Sequence, residues 1–457
     1  MTIENTLAFI MAGGLGSRLK ILTRDRSKSS VGILGRYRIF DFVATNVANS
    51  GIPRVIVATQ SQPRSLNNHI GVGEPWGFND RNKNIEISQP YVSLSGLVTL
   101  DGTADAVRKN INRINSRYPT TETVMVLGGD HVYVADYKDV INFHKKKESD
   151  LTIMTTLIPD EKASDFGIIR INDNGRIMEF AEKPKDEETL RKFRLTPETK
   201  EQIGIKDSNL NYLASMGNYV FDWKKLNCYL ESFEGNDFGY DIIPAIKESG
   251  GDIHAYVFEG YWRDVGKIKD YFETNMEAVK NETVDLIAGQ VSTSERNLPG
   301  VRIGLNVSID GFIGSPGVYI GSGSKIKDVV TGFQVHIGEN CDVSKVVLLG
   351  ANRNQYSNNG KLLREYKTVI GDNSKLENII VDKNVFIGKN VYLSPEFGTP
   401  EERTANLEKI GLKPYLDDNP ETFSNSDFYM DNETNILVLG KQQEPFDRPL
   451  IPDGFRG

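Results

Sequence analysis

The chain has 457 residues, 39% of them hydrophobic and 25% charged, and a formal net charge of −8 at pH 7. That length predicts two or three domains rather than one core, and that balance a soluble globular protein. It excludes a membrane span, because no apolar run is long enough, and a nucleic-acid-binding face, which needs clustered positive charge.

The first apolar run, Leu7–Met11, begins so near the N-terminus that no secretory leader is expected before it. Only two cysteines occur, Cys228 and Cys341, far apart in sequence. They suggest neither a disulfide framework nor a zinc site, and a reducing cytoplasmic location is expected. The run ends in Gly13, Gly14 and Gly16, followed by Arg18 and Lys28. This spacing is neither Gly-x-x-x-x-Gly-Lys-Ser/Thr nor Gly-x-Gly-x-x-Gly. It still suits a polyphosphate: glycines let backbone N–H groups approach phosphate oxygens, and Arg18 and Lys28 supply cations. The alternative is a tight turn with a surface arginine.

Strands are next predicted at Val55–Thr59 and Val124–Leu127, with helices over Ala104–Asn115 and Tyr137–Lys147. The alternation predicts an α/β domain with a mostly parallel sheet, whose ligands sit beyond the C-terminal ends of the strands. Gly102-Thr103-Ala104 opens the first helix, where a base edge or phosphate would find free N–H groups. Val124–Leu127 runs into Gly128-Gly129-Asp130, a carboxylate well placed for Mg²⁺ or simply a capping residue. His131 is given no role. A hairpin is predicted from Phe166–Ile171 through a turn at Asp173–Gly175 to Ile177–Ala181. It ends in Glu182-Lys183, a pair suited to sugar hydroxyls and a sugar phosphate, or else an exposed edge ion pair. Ser215 and Gly217 precede a further strand. Asp264 lies between Gly260 and Gly266 in "GYWRDVG". With Asp130 it makes a two-carboxylate metal site; alone it reads as a turn aspartate.

Beyond residue 295 the texture changes. Ile303-Gly304, Ile320-Gly321, Ile337-Gly338, Ile370-Gly371 and Ile387-Gly388 recur, with related pairs at Ile309, Ile326, Val343 and Leu376. Steps of 6 and 11 alternate to give a period of 17, close to three hexapeptides. A left-handed parallel β-helix is predicted, with the apolar residue inside and the small one turning the corner. Residues 349–368 interrupt it as an excursion. The tail beyond residue 395 is polar, with strand character at Ile436–Leu439.

The ordered segments AGGLGSRL, RYRIFDFVATNVANSGI, TQSQPRSLNNHI, GTADAV, GGDHVY, FGIIRI…EFAEKP, LASMGNYVF, NDFGYDIIPAI and GYWRDVG resemble the sugar-1-phosphate nucleotidyltransferases, most closely the ADP-glucose pyrophosphorylases. The resemblance spans about residues 5–400. It implies a Rossmann-like, GT-A-like nucleotidyltransferase domain over 1–285, a linker over 286–300, and a β-helix domain with an irregular tail over 301–457. It implies the reaction ATP + glucose 1-phosphate → ADP-glucose + pyrophosphate, with Mg²⁺. Carried over, Gly13, Gly14 and Gly16 follow the triphosphate, and Arg18 and Lys28 neutralise the leaving pyrophosphate. Asp130 and Asp264 hold the metal. Gln60, Gly102 and Thr103 serve the nucleotide, and Gly167, Glu182, Lys183, Ser215, Asp237 and Phe238 the glucose 1-phosphate. A small-molecule allosteric effector and a homotetramer are implied as well.

Three departures stand out. Ser29 replaces the proline usual after the lysine, and Thr99-Leu100-Asp101 replaces an aromatic and basic stretch before Gly102. The effector lysines of the N-terminal loop are replaced by Arg24 and Arg26 around Asp25, and Lys441 is the clear lysine of the last stretch. Two competing readings therefore stand beside the ADP-glucose-forming enzyme: a nucleotidyltransferase for another nucleotide or sugar, and a non-catalytic regulatory paralogue.

Overall fold

A computed structural model describes residues 3–14, 16–93, 96–204, 207, 209–280, 289–356, 362–365, 367–417, 420–442 and 448–457. The chain forms two compact units. The first comprises Met1–Gly14, Phe42–Pro63 and Asn67–Trp262, the second Leu15–Asp41, Arg64–Leu66 and Arg263–Gly457. The division is thus not a single cut. The expected linker begins, at 286–288, outside the described residues.

The first unit is built on a nine-stranded sheet. Its strands are β1 (Thr6–Met11), β2 (Arg54–Ala58), β3 (Asn84–Ser88), β4 (Thr123–Gly128), β5 (Leu151–Ile158), β6 (Ile168–Ile171), β7 (Ile177–Ala181), β8 (Tyr212–Asp222) and β9 (Ile253–Val257). The spatial order is β7-β6-β8-β4-β1-β2-β3, with β5 pairing β8 and β9. From β4 through β3 the strands are all parallel. Leu7, Ala8, Phe9 and Ile10 are all fully buried, so successive residues on both faces of β1 are covered. This is the continuous apolar run a central parallel strand requires. Beyond β4 the antiparallel β8 reverses the pattern and carries the β6–β7 hairpin. Gly175, at φ 76°, turns that hairpin, and Asn172 Oδ1 accepts from the Asn174 and Arg176 amides.

The helix Tyr137–Lys147 begins where predicted, with Asp136 accepting from the Lys138 amide, and buries Tyr137, Val140, Ile141 and His144 on one stripe. The helix expected over Ala104–Asn115 is two, Thr103–Arg108 and Ile111–Arg117. Asn110 breaks it. Its side chain donates to Ala106 O and accepts from Ser88 Oγ on β3, so a buried polar anchor competes with the helical ladder. Among the described residues no helix is long and apolar enough to cross a membrane.

The second unit is dominated by stacked parallel coils. One face runs from Ser308–Gly314 through Lys325–Thr331 and Asp342–Leu348 to Lys375–Val381. Lys325 pairs with Asp342, 17 positions on, as the sequence period requires; Asp342 pairs with Lys375, 33 on, because the excursion intervenes. Of that excursion, 357–361 and 366 lie outside the described residues.

The corner glycines behave differently from expectation. Gly304, Gly321, Gly338, Gly371 and Gly388 are absent from the positive-φ set. They are small because the next coil lies against them: a Cβ on Gly321 would stand 2.5 Å from the Gly338 backbone, and one on Gly371 2.6 Å from Gly388. The left-handed turn comes two residues later, at Asn306, Gly323, Asn340, Asn373 and Asn390. Asparagine is among the side chains best tolerated there.

The tail also holds more than expected. Thr399 and Glu402 form a reciprocal capping box that starts the helix Pro400–Lys409. The hairpin Phe428–Asp431/Ile436–Leu439 then adds Ile436–Leu439 in parallel to Lys375–Val381.

Candidate active site

In the first unit, three strand ends meet. Gly13 follows β1 so closely on Gln60 that a Cβ would lie 3.2 Å from Gln60 Cβ and N. A Cβ on Gly14 would meet nothing within 4 Å. Gly129 crosses the end of β1: its amide donates to Met11 O at 2.8 Å, and a Cβ would stand 2.9 Å from the same oxygen. The Gly128 amide donates to Asn218 Oδ1 at 2.9 Å, a support from β8 that no local motif announces. Asp130 follows, partly exposed, with His131 Nε2 3.4 Å from its Oδ1. His131 packs edge-on against Trp262 at 5.2 Å.

The residues expected to serve the sugar phosphate also converge within this unit. Glu182 ends the hairpin with its carboxylate wedged between two glycines. A Cβ on Gly167 would lie 2.5 Å from Glu182 Oε2, and one on Gly239 2.8 Å from it. Burial raises the Glu182 carboxyl above its ordinary range; Asp237 adds to this, while Lys183, whose Nζ is 3.5 Å from Oε1, opposes it. Ser215 donates its amide to Gly167 O at 2.8 Å, and its hydroxyl accepts from the Gly217 amide. Asp237 caps the turn after it, accepting from the Gly239 and Tyr240 amides, and its second oxygen accepts from Thr103 Oγ1 at 3.1 Å. Thr103 in turn accepts from the Phe238 amide. Gly102 is pressed onto this turn, where a Cβ would stand 2.3 Å from Asn236 O. The segment expected at the nucleotide and the one expected at the sugar are therefore one hydrogen-bonded junction. Phe238 is only 1% exposed and packs on Tyr219 and Phe221, so its ring belongs to the core and only its backbone faces this junction.

In the second unit, Gly16 adopts φ 66°, and a Cβ there would strike Lys28 Cβ at 2.7 Å. Lys28 is thereby packed beneath the loop, 5% exposed. Its Nζ lies 2.7 Å from Asp264 Oδ1, and Arg18 Nη2 lies 3.8 Å from Oδ2. Both expected phosphate cations thus converge on the expected metal carboxylate, an arrangement of residues 236 positions apart that no local motif announces. Ser29 is buried in the short turn Lys28–Ser30. Arg24 and Arg26 are buried too. Arg24 Nη2 donates to Lys441 O at 2.8 Å, and Arg26 pairs with the fully buried Asp382.

Chemically, the first unit offers glycine backbones for phosphate, the Asp130 carboxylate and a carboxylate–ammonium pair suited to a phosphorylated polyol; the second offers a glycine turn, two cations suited to phosphate and, in Asp264, a carboxylate of the type a hard divalent ion takes. The family model described as Nucleotidyl transferase matches residues 7–281, more than half of the chain. The model described as GLGC left-handed parallel beta-helix domain matches residues 296–409. The chain therefore belongs to the nucleotidyl transferase family and, by this pairing of domains, to its ADP-glucose pyrophosphorylase branch.

Proposed function

We propose that this sugar-1-phosphate nucleotidyltransferase forms ADP-glucose and pyrophosphate from ATP and glucose 1-phosphate, the step that supplies activated glucose for α-glucan synthesis. The observation that carries an active enzyme over a non-catalytic paralogue is the convergence of Lys28 and Arg18 on Asp264. A paralogue freed from catalysis would have no need to keep two cations and a carboxylate in register.

In this reading a phosphate oxygen of glucose 1-phosphate attacks the α-phosphorus of ATP, and the bond from that phosphorus to the bridging oxygen breaks, releasing pyrophosphate. The sugar phosphate is already anionic at pH 7, so no general base is required. The chain's task is in-line positioning and charge neutralisation. Gly13, Gly14 and Gly16 would give backbone N–H groups to the triphosphate, and Gln60, Gly102 and Thr103 would serve the base. Arg18 and Lys28 would exchange their hold on Asp264 for the departing pyrophosphate. Gly167, Glu182, Lys183, Ser215 and the Asp237–Phe238 turn would orient the sugar phosphate. Asp130 and Asp264 are hard oxygen donors, the type Mg²⁺ takes; when bound, that ion would neutralise charge on the phosphates.

One observation favours a different base. Leu100 stands where the resemblance has an aromatic and packs against the core instead, while Asp101 lies 3.6 Å from Lys109. Pyrophosphate release measured with Mg²⁺, glucose 1-phosphate and each nucleoside triphosphate in turn tests both readings. ATP is expected to turn over fastest. A faster UTP, GTP or dTTP reaction overturns ADP-glucose as product, and no release with any of them overturns the enzyme in favour of a regulatory subunit.

The resemblance also implies a homotetramer and an effector. Four cations of the second unit support an anionic effector: burial and the charges of Arg38, Arg26 and Arg296 hold the Lys383 ammonium well below its usual range, with Asp382 opposing. Burial likewise lowers Arg38 and Arg296, each to about 10. Such mutual repulsion is relieved by a bound anion.

A further inference from the structure

Lys20 occupies a backbone conformation that favours glycine. At φ 52°, ψ −135° it kinks the short helical stretch Ser17–Thr23 in two. A non-glycine residue there costs on the order of 1–3 kcal/mol, and such strain persists only where surrounding structure holds it. The holding contacts come from the tail of the same unit. Lys20 Nζ lies 2.5 Å from Asp417 Oδ1, and 5.8 and 5.4 Å from the ring centroids of Tyr415 and Tyr429. Those rings are 5.8 Å apart at 49° to each other, and the Tyr429 hydroxyl donates to the other Asp417 oxygen at 3.3 Å. An ammonium over two aromatic faces with a carboxylate beside it gains more than an exposed ion pair, whose worth is about 0–1 kcal/mol.

The contact is not solitary. Ile21 fills the space a side chain at Gly440 would need, since a Cβ there would lie 2.3 Å from Ile21 Cδ1. Arg24 donates to the carbonyls of Ser426 and Lys441. Inside the loop, the Thr23 hydroxyl bridges to Lys20 O at 3.0 Å and Gly16 O at 3.1 Å. The main chain at Lys20 is therefore coupled to the Gly16 turn and to Arg18 two residues away.

We propose that Lys20 is a positioning residue: the cradle of Tyr415, Asp417 and Tyr429 fixes the kink at Lys20 and, through it, the Gly16–Arg18 turn that reads the nucleotide's phosphates. The functional part rests on the phosphate-loop reading given above. The C-terminal hairpin then does more than extend the β-helix. It sets the resting shape of the substrate loop.

The test combines amide hydrogen exchange of the full-length protein with steady-state kinetics. In Lys20→Gln, amides of the loop 16–26 are expected to exchange at least tenfold faster without any ligand. The KM for ATP should rise fivefold or more, the KM for glucose 1-phosphate should stay within twofold, and Tm should fall by no more than about 2 °C. Lys20→Arg, which keeps a cation in the cradle, should restore both readouts, and Tyr429→Leu should reproduce the Lys20→Gln effects. Unchanged loop exchange in Lys20→Gln, or equal loss for both substrates, overturns the proposal. Should the wild-type protein turn over no nucleoside triphosphate, the enzyme reading fails, and the exchange measurement alone still decides whether Lys20 holds the loop.

Discussion

Gly14 and Gly16 stand two residues apart in one motif, yet the structure demands glycine only at the second. A Cβ on Gly16 would enter at φ 66°, 2.7 Å from Lys28 Cβ and 3.2 Å from Thr23 Cγ2. The left-handed conformation costs alanine about 1–2 kcal/mol. Lys28 Cβ is one bond from the backbone and cannot swing aside, so its shift also disturbs the 2.7 Å ion pair with Asp264. Gly16→Ala should therefore destabilise the protein by roughly 2–3 kcal/mol. Gly14 is exposed, has no positive φ, and a Cβ there meets nothing within 4 Å. Gly14→Ala should leave stability unchanged or raise it by about 0.4–1 kcal/mol, through the unfolded chain alone. If Gly14 is glycine for the sake of a phosphate, the methyl group should instead cost ten- to a hundredfold in kcat/KM for ATP, about 1.4–2.8 kcal/mol of transition-state binding. Thermal melts and ATP kinetics on the two variants measure these terms separately. A stable Gly14→Ala protein whose kcat/KM for ATP stays within twofold of wild type would refute the cradle.

Further outcomes follow from the buried charges. Because burial raises the Glu182 carboxyl, its ionisation lowers stability as pH climbs through the folded-state value; Glu182→Gln should melt no lower than wild type at pH 7 while raising the KM for glucose 1-phosphate at least tenfold, and an unchanged KM would move the sugar site elsewhere. Burial lowers His144, bonded to Thr152, to about 4, so it stays neutral in the fold while the unfolded chain protonates below about 6.5. Stability should fall as pH drops from 6.5 towards 4, by up to roughly 3 kcal/mol, and His144→Gln should flatten that slope; equal slopes in the two proteins would refute it. Inorganic phosphate at ten times its Kd should add about 1.4 kcal/mol to stability by occupying the cluster around Lys383. Lys383→Met should blunt the rise in Tm, and an identical response would place the anion elsewhere.

Much of the β-helix was legible because its geometry is a period. Identical coil positions recur every 17 residues, or 33 across the excursion, so Ile320, Ile337, Ile370 and Ile387 announce one inner face without any knowledge of partners. What the period did not reveal is which residue does the turning. Glycine after isoleucine looks like a corner, yet those glycines answer to the neighbouring chain stacked on them, and the left-handed corners come two positions on, at four asparagines and Gly323. Composition shows that a small residue is needed; only the neighbouring coil shows whether the need is for space or for a dihedral angle. The tail was harder to read because its strand pairs with a coil more than fifty residues earlier, Ile379 with Leu437, and its surface is polar.

The site divides along the same line. Glycines at strand ends and the Glu182-Lys183 pair could be nominated as candidates locally, because a phosphate or a sugar asks for those residue types in short stretches. Partnerships could not. Nothing in "RDRSKSS" predicts that Lys28 is buried against a carboxylate 236 residues on, or that Asp237 holds the start of the helix at Thr103. These partnerships change the chemistry as well as the map. An isolated Lys28 would wait in solvent, its long side chain losing rotamer entropy when it ordered on a phosphate. Held by Asp264 and by the Gly16 turn, it is ordered before any ligand arrives, and in the proposed reaction an incoming phosphate would compete with that carboxylate for it. The same carboxylate is the one assigned to the metal. In the proposed reaction, substrate binding, metal binding and the release of Lys28 would be a single exchange of charges around Asp264. Replacing Asp264 with asparagine should consequently impair turnover through the cation as well as the metal, so that raising Mg²⁺ concentration restores only part of the lost rate. Full restoration by Mg²⁺ would show that Asp264 serves the metal alone.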